Sequence, residues 1–305
     1  LSEFFRLVGW MTWRRLAELF RYRMNLVWGV LSPLMWSAAF LLLVPLYSTM
    51  EMSSAIGTAD YGAYLLLGLS MISFQSVALW GGSNNFNWEL TTGLIDYSFS
   101  SPVSKYAYVE SVIISDALVS LVLYDAPFLA VAFYLAARVL SLSGIAYGMT
   151  AYVLSILVLS QIGVTFSALT LLYKNVSNLF EFFNMAFQFL TGMIIPLQVL
   201  PGFVRVASVF VPLTFGIDLS RHYVLSSSTV FPVPLEWAGL LLQLIGLGLT
   251  SLLVFGFVES RARKNGFQYV RVRLARRGQA HWLTRSPRES ALEQRDWPNE
   301  GKHTD

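Results

Sequence analysis

The sequence predicts an all-α polytopic membrane protein: an N-terminal interfacial helix followed by six transmembrane helices. Three observations carry that reading. Of the 305 residues 55% are hydrophobic and only 13% charged, whereas a soluble chain carries about 25% charged residues. The charge lies at the ends: five of the 21 cations precede Asn25 and eleven follow Val258. The intervening stretch breaks into apolar runs of the length that a hydrocarbon core about 30 Å thick requires, about 20 residues each.

Residues 3–22 place Phe4, Leu7, Val8 and Met11 on one helical stripe, with Trp10 and Trp13 as residues typical of the membrane interface. Arg15 and Glu18 interrupt the stripe. The segment 1–25 is therefore expected to lie along the cytoplasmic leaflet as an interfacial helix. The opening Leu1-Ser2-Glu3 lacks the basic and apolar pattern of a removable signal peptide, so insertion is expected to use the first span. Apolar runs set against loop signals place spans at about 26–47, 61–83, 108–136, 144–172, 178–196 and 236–258 within a membrane domain of 26–258.

Lys and Arg in short flanks orient such a domain, because they stay on the cytoplasmic side. Arg6, Arg14, Arg15, Arg21 and Arg23, Lys105, Lys174 and the eleven late cations fall on one side, and Arg138, Arg205 and Arg221 on the other, 18 against 3. An even number of spans with both termini cytoplasmic fits. The tail 259–305 starts basic and ends acidic; its first part suits anionic lipid and its last part disorder. A nucleic-acid role for the basic run is set aside, since topology and lipid attraction already explain it.

Several chemistries are excluded. The chain has no cysteine, which removes disulfides, thiolate metal sites and thiol nucleophiles. His222, His281 and His303 are scattered, without a zinc-binding pair on one helix face. Neither a Gly-x-Ser-x-Gly elbow nor a Gly-x-x-x-x-Gly-Lys-Ser/Thr phosphate loop occurs.

Carboxylates within or beside spans are costly and so mark candidates. Asp116 lies about 12 Å and Asp125 about 25 Å along the third span from Tyr108. Pro127 follows Asp125 and is expected to kink the helix beside a cavity. Glu110 and Glu181 fall near the cytoplasmic boundary and read as acids exposed at the interface or hydrogen-bonded to a neighbouring helix. Phe182, Phe183, Phe187 and Phe189 on the fifth span suit either a greasy substrate pathway, for which Phe183 and Phe187 are the candidates, or plain core or lipid-facing positions.

The most informative polar segment joins spans two and three, from Asn84 to Lys105. It is too polar for lipid, yet Leu94, Ile95, Tyr97 and Phe99 can cover one side of a short helix. That helix would dock on a partner or lie on the protein's own surface.

Glu89, Gly93-Leu94 and Ser101-Pro102-Val103-Ser104 have the order and spacing of the ABC-2 type permeases, the membrane subunits of ATP-binding-cassette exporters, and the chain resembles that family. Leu94 replaces the family's usual threonine, and only Asp96 is charged between Gly93 and Pro102. A second block, Gly192 to Leu197, Leu200-Pro201-Gly202, Pro212-Leu213-Thr214, Asp218 and Arg221, resembles the family's hydrophobic outer connection. The resemblance covers about residues 5–258.

It implies a permease without its own ATPase site or cofactor. ATP and Mg would be held by a separate ABC ATPase subunit, and a second copy or a homologous permease would complete the membrane unit. The ATPase-coupling segment would comprise Glu89, Thr92, Gly93, Leu94, Asp96, Tyr97, Ser101, Pro102 and Val103. Pro196, Pro201 and Pro212 would delimit short re-entrant helices between spans five and six. Gly192 suits close packing or unusual dihedrals, and Asp218 and Arg221, three apart on a helix, suit a structural pair on one face, favoured over a substrate contact. The implied activity is export of an amphipathic, drug-like or lipid-linked substrate across a prokaryotic plasma membrane. The alternatives are a proton-coupled secondary carrier using Asp116 or Asp125, and a membrane-embedded enzyme, for which no nucleophile, metal or acid–base set is recognisable.

Overall fold

The computed structural model describes residues 2–47, 56–58, 60–100, 103–173 and 176–265, and every regular element among them is helical. Leu1–Val258 make one compact unit and Glu259–Asp305 a second. Of the second only the end of the last helix is described, so the expected basic-to-acidic tail lies outside the described residues from 266 onward.

Helix α1 (Ser2–Arg21) has half-buried residues at Phe4, Leu7, Val8, Met11, Thr12, Arg15, Leu16 and Leu19, the three-and-four spacing of one helix face. Phe5, Trp10, Trp13 and Phe20 are exposed on the rest. The stripe packs against α5 (Lys105–Ser120), where the Ser115 hydroxyl donates to the Val8 carbonyl at 3.2 Å. Helix α2 (Arg23–Tyr47) leaves α1 at a bend of 90°.

Helix α3 (Tyr61–Thr92) is the centre of the bundle and buries residues on all sides, among them Tyr64, Leu66, Met71, Phe74, Leu79 and Phe86. The short α4 (Ile95–Ser100) follows it. Helix α5 continues through a π turn (Leu121–Asp125) into α6 (Ala126–Leu135). The expected kink at Pro127 is taken up there: Pro127 stands in the first turn of α6, and the wider π turn before it accommodates the missing N–H and the ring.

Helix α7 (Leu142–Leu172) is capped by the Ser141 hydroxyl, which accepts from the Gly144 N–H at 3.0 Å. After it come α8 (Ser177–Leu190), a 3-10 turn (Leu197–Val199), α9 (Gly202–Ser208), α10 (Thr214–Leu225) and α11 (Val233–Asn265). Helix α10 is buried along much of its length between α3 and α7, and its Ser220 hydroxyl donates to the Gly148 carbonyl at 3.1 Å. Helix α11 instead exposes Leu241, Leu242, Ile245, Leu249, Leu253 and Phe257, an apolar surface that suits lipid.

Four helical stretches are long and apolar enough to cross a membrane: Tyr61–Glu89, Lys105–Leu135, Leu142–Leu172 and Val233–Arg261; the bent pair Glu3–Arg21 with Leu26–Leu42 gives up to a fifth. The difference from six has a physical cause in the fifth expected run. Its helix α8 has 14 residues, about 21 Å of rise, and stops at Thr191 before Gly192 turns left-handed at φ 72°.

Candidate functional site

The turn between α3 and α5 is built by backbone chemistry. Gly93 ends α3 in the left-handed region at φ 75°, which a residue without Cβ adopts at little cost. On the far side the Ser104 hydroxyl accepts from the Ala107 N–H at 3.4 Å and caps α5. Lys105 is buried, and its ammonium donates to the Val103 carbonyl at 2.9 Å.

Glu89 lies inward, 3% exposed. The Tyr108 hydroxyl and the Asn85 amide both donate to its Oε1, the amide at 2.9 Å, and Asn85 also donates to the Tyr108 oxygen at 3.2 Å. This cluster ties the last turns of α3 to the first turn of α5. Glu89 is thus buried within the chain's own turn rather than presented on its surface. Trp88, Thr92 and Leu94 are exposed, while Ile95, the first residue of α4, is buried. Asp96 and Tyr97 fall within α4, whereas Ser101 and Pro102 lie outside the described residues.

Asp116 finds a partner that its own helix does not supply. Arg15 of α1 donates from Nε to Oδ1 at 2.6 Å and from Nη2 to Oδ2 at 3.2 Å, the forked geometry that makes an Arg–carboxylate pair strong. Glu18 stands 3.6 Å from Arg15 Nη1. Asp125 closes the π turn, fully buried, and accepts from the Ser120 hydroxyl at 3.1 Å.

Of the two readings of Glu110, the structure shows hydrogen bonding to a neighbouring helix: it is buried in a network that joins three helices. The Ser160 hydroxyl and the Gln161 amide donate to its Oε1 at 2.7 and 2.9 Å, and Gln161 Oε1 accepts from the Tyr106 hydroxyl at 2.8 Å and from the Ser251 hydroxyl at 2.9 Å. Glu181 is exposed. Phe183 and Phe187 pack in an aromatic cluster with Phe166, Phe180 and Trp80, while Phe182 and Phe189 face outward.

In the second block Pro196 precedes the 3-10 turn, Pro201 precedes α9, and Pro212 is buried just before α10. Arg221 is 2% exposed. It donates to the carbonyls of Tyr64, Gly192 and Met193 at 3.0, 2.7 and 2.8 Å, and its guanidinium lies 3.7 Å from the centroid of the Tyr64 ring. A Cβ at Gly68 would collide with that guanidinium and with the Met193 carbonyl. Asp218 turns elsewhere and accepts from the Val230 N–H at 2.7 Å. The expected Asp218–Arg221 ion pair is not among the pairs of the described residues. Burial pushes the Asp218 carboxyl above its ordinary range, against the lowering effects of its hydrogen bonds and of Arg221 and His222. Nearby, Glu236 Oε1 accepts from the Phe231 N–H at 3.0 Å.

The pairing of Arg15 with Asp116 was not read from sequence; its one signal was the break that Arg15 makes in the α1 stripe. Among the described residues no three His, Asp or Glu side chains are grouped to hold a metal. The family model described as ABC-2 type transporter matches residues 6–225. No curated protein matches the chain.

Proposed function

The chain belongs to the ABC-2 type transporter family, and from that premise we propose that it is the membrane permease of an ABC exporter, driven by ATP hydrolysis in a separate subunit. Family membership and the long apolar helices make it a membrane transport subunit whose partner is an ABC ATPase. The finer reading adds export of an amphipathic, drug-like or lipid-linked substrate out of the cytoplasm or inner leaflet.

In this reading α2 and α8 complete six spans, the latter with the turns after Thr191, and α9 and α10 are the re-entrant elements of the outer connection. Both termini lie in the cytoplasm of a prokaryotic cell, α1 runs along the inner leaflet, and two permeases pair. Asp116, Asp125, Phe183 and Phe187 remain the candidates beside the substrate pathway. ATP and Mg stay with the partner.

The observation that best supports the coupling role is the turn at 89–104. Its two long helices are tied by Glu89, Asn85 and Tyr108, and its outer side offers Trp88, Thr92 and Leu94. A push on α4 would therefore move α3 and α5 together as one unit. Docking through this face is more apolar than a charged contact would be.

Affinity purification of the native complex tests the reading. It expects a co-purifying ATPase subunit, and ATP-dependent dye export from cells that stops when that subunit's phosphate loop is disabled. Export that follows the proton gradient in vesicles lacking any ATPase would replace this reading with the proton-coupled carrier.

A further inference from the structure

We propose that the cavity between α1, α3 and α5 is a binding site for the head group of an aminophospholipid, a lipid carrying a primary ammonium beside a phosphate. The cavity has a volume of about 330 Å³ and is lined by Arg15, Glu18 and Asp116 and, about two helical turns further along, by Leu123 and Tyr124, with Val77 and Val119 between. It thus joins a charged pole to an apolar one, the pattern of a site for an amphiphile.

The charged pole fits this head group part by part. A guanidinium has five N–H donors. Arg15 directs its Nε and Nη2 to Asp116, while Nη1 stands 3.6 Å from Glu18, outside hydrogen-bond range. Nη1 therefore keeps donors for a phosphate oxygen, and charge-assisted bonds of that kind are strong. Glu18 is 56% exposed on its side chain and is not saturated by Arg15, so its carboxylate is open to an ammonium. With Arg14, whose charge also acts on Asp116, the charged groups at this pole, Arg14 and Arg15 against Glu18 and Asp116, sum to zero, which suits a zwitterionic head group better than a purely anionic one. A quaternary ammonium offers no N–H to Glu18 and should be held less well.

The apolar pole leads outward. The π turn lets Leu123 be buried while Tyr124 is 39% exposed, and Val122 and Leu118 are exposed beside it. An acyl chain can follow that face of the helix. The proposal concerns a resident lipid and holds whatever the cargo is.

The test uses the full-length chain in mild detergent, incubated with equal amounts of dioleoyl phosphatidylethanolamine, phosphatidylcholine and phosphatidylglycerol, and read by native mass spectrometry. Phosphatidylethanolamine adducts should exceed phosphatidylcholine adducts at least fivefold. Glu18→Gln, at an exposed position, should bring that ratio close to one. Val119→Trp should fill the cavity and remove the adducts at least fivefold, with the far-ultraviolet circular dichroism unchanged. Equal retention of the ethanolamine and choline lipids, a preference for phosphatidylglycerol, or a wild-type preference in Glu18→Gln would each overturn the proposal.

Discussion

Arg15 and Asp116 are 101 residues apart in sequence and form a forked ion pair, Nε to Oδ1 at 2.6 Å and Nη2 to Oδ2 at 3.2 Å. The pair fastens α1 to α5 at the one place where the apolar stripe of α1 carries a charge. Side-chain exposures of 32% and 18% make it only partly solvated, so removing one partner strands the other. Arg15→Leu and Asp116→Leu should each destabilise the α1–α5 contact by about 2 kcal/mol, and the double substitution by less than the sum. A double-mutant cycle on detergent-solubilised protein checks this; strict additivity would mean that the pair contributes nothing.

Gly93→Trp forces a side chain into the left-handed region at φ 75°, at a cost of about 1–2 kcal/mol. The strain falls where α3 hands over to α4. Membrane insertion should persist, while co-purification of the ATPase, or the ATP-driven export it supports, should weaken. Pro102→Asp should act in the same direction by placing a charge in an apolar docking segment. Normal ATP-driven export in both variants would move the coupling contact elsewhere on the chain.

Arg221→Lys should behave differently from a conservative exchange. Three carbonyls, of Tyr64, Gly192 and Met193, are satisfied by one planar fork, and an ammonium cannot reproduce its reach or its stacking on Tyr64. Arg221→Leu leaves buried acceptors without a donor, a loss of about 3 kcal/mol. The unfolding midpoint should fall in the order wild type, Lys, Leu; equal midpoints would remove Arg221 from the structural core.

Asp218 sets a pH dependence with a definite sign. Its folded carboxyl is held above the ordinary value of 3.8, first by burial, so folding favours the protonated form. The associated stability is complete below that value and declines as pH rises toward the raised one. Asp218→Asn keeps an acceptor for the Val230 N–H and removes one carboxyl of the hydrogen-bonded pair that Asp218 makes with Glu236. Thermal unfolding followed from pH 4 upward should decline more steeply for wild type than for Asp218→Asn; parallel curves would contradict this.

Much of the architecture was legible because hydropathy and helix periodicity are properties of short windows. The runs at 61–83, 144–172 and 236–258 lie within α3, α7 and α11. At 178–196 the apolar composition continues through Gly192 while the helix ends at Leu190, so helix length alone does not show a span there. The partners of Arg221 were hidden for another reason: backbone carbonyls carry no residue-type signature. Glu89 was legible as a residue of the turn but not as a buried one, since the Tyr108 hydroxyl that donates to its Oε1 comes from another helix, distant in sequence.

Helix α3 holds Tyr64, beneath Arg221, near one end and Thr92 at the other. The distance between them is about 42 Å of uninterrupted helical rise. A tilt of such a rod by about 10° about its midpoint would carry each end about 4 Å in opposite directions. The arginine cradle and the polar turn are thus opposite ends of one continuous helix.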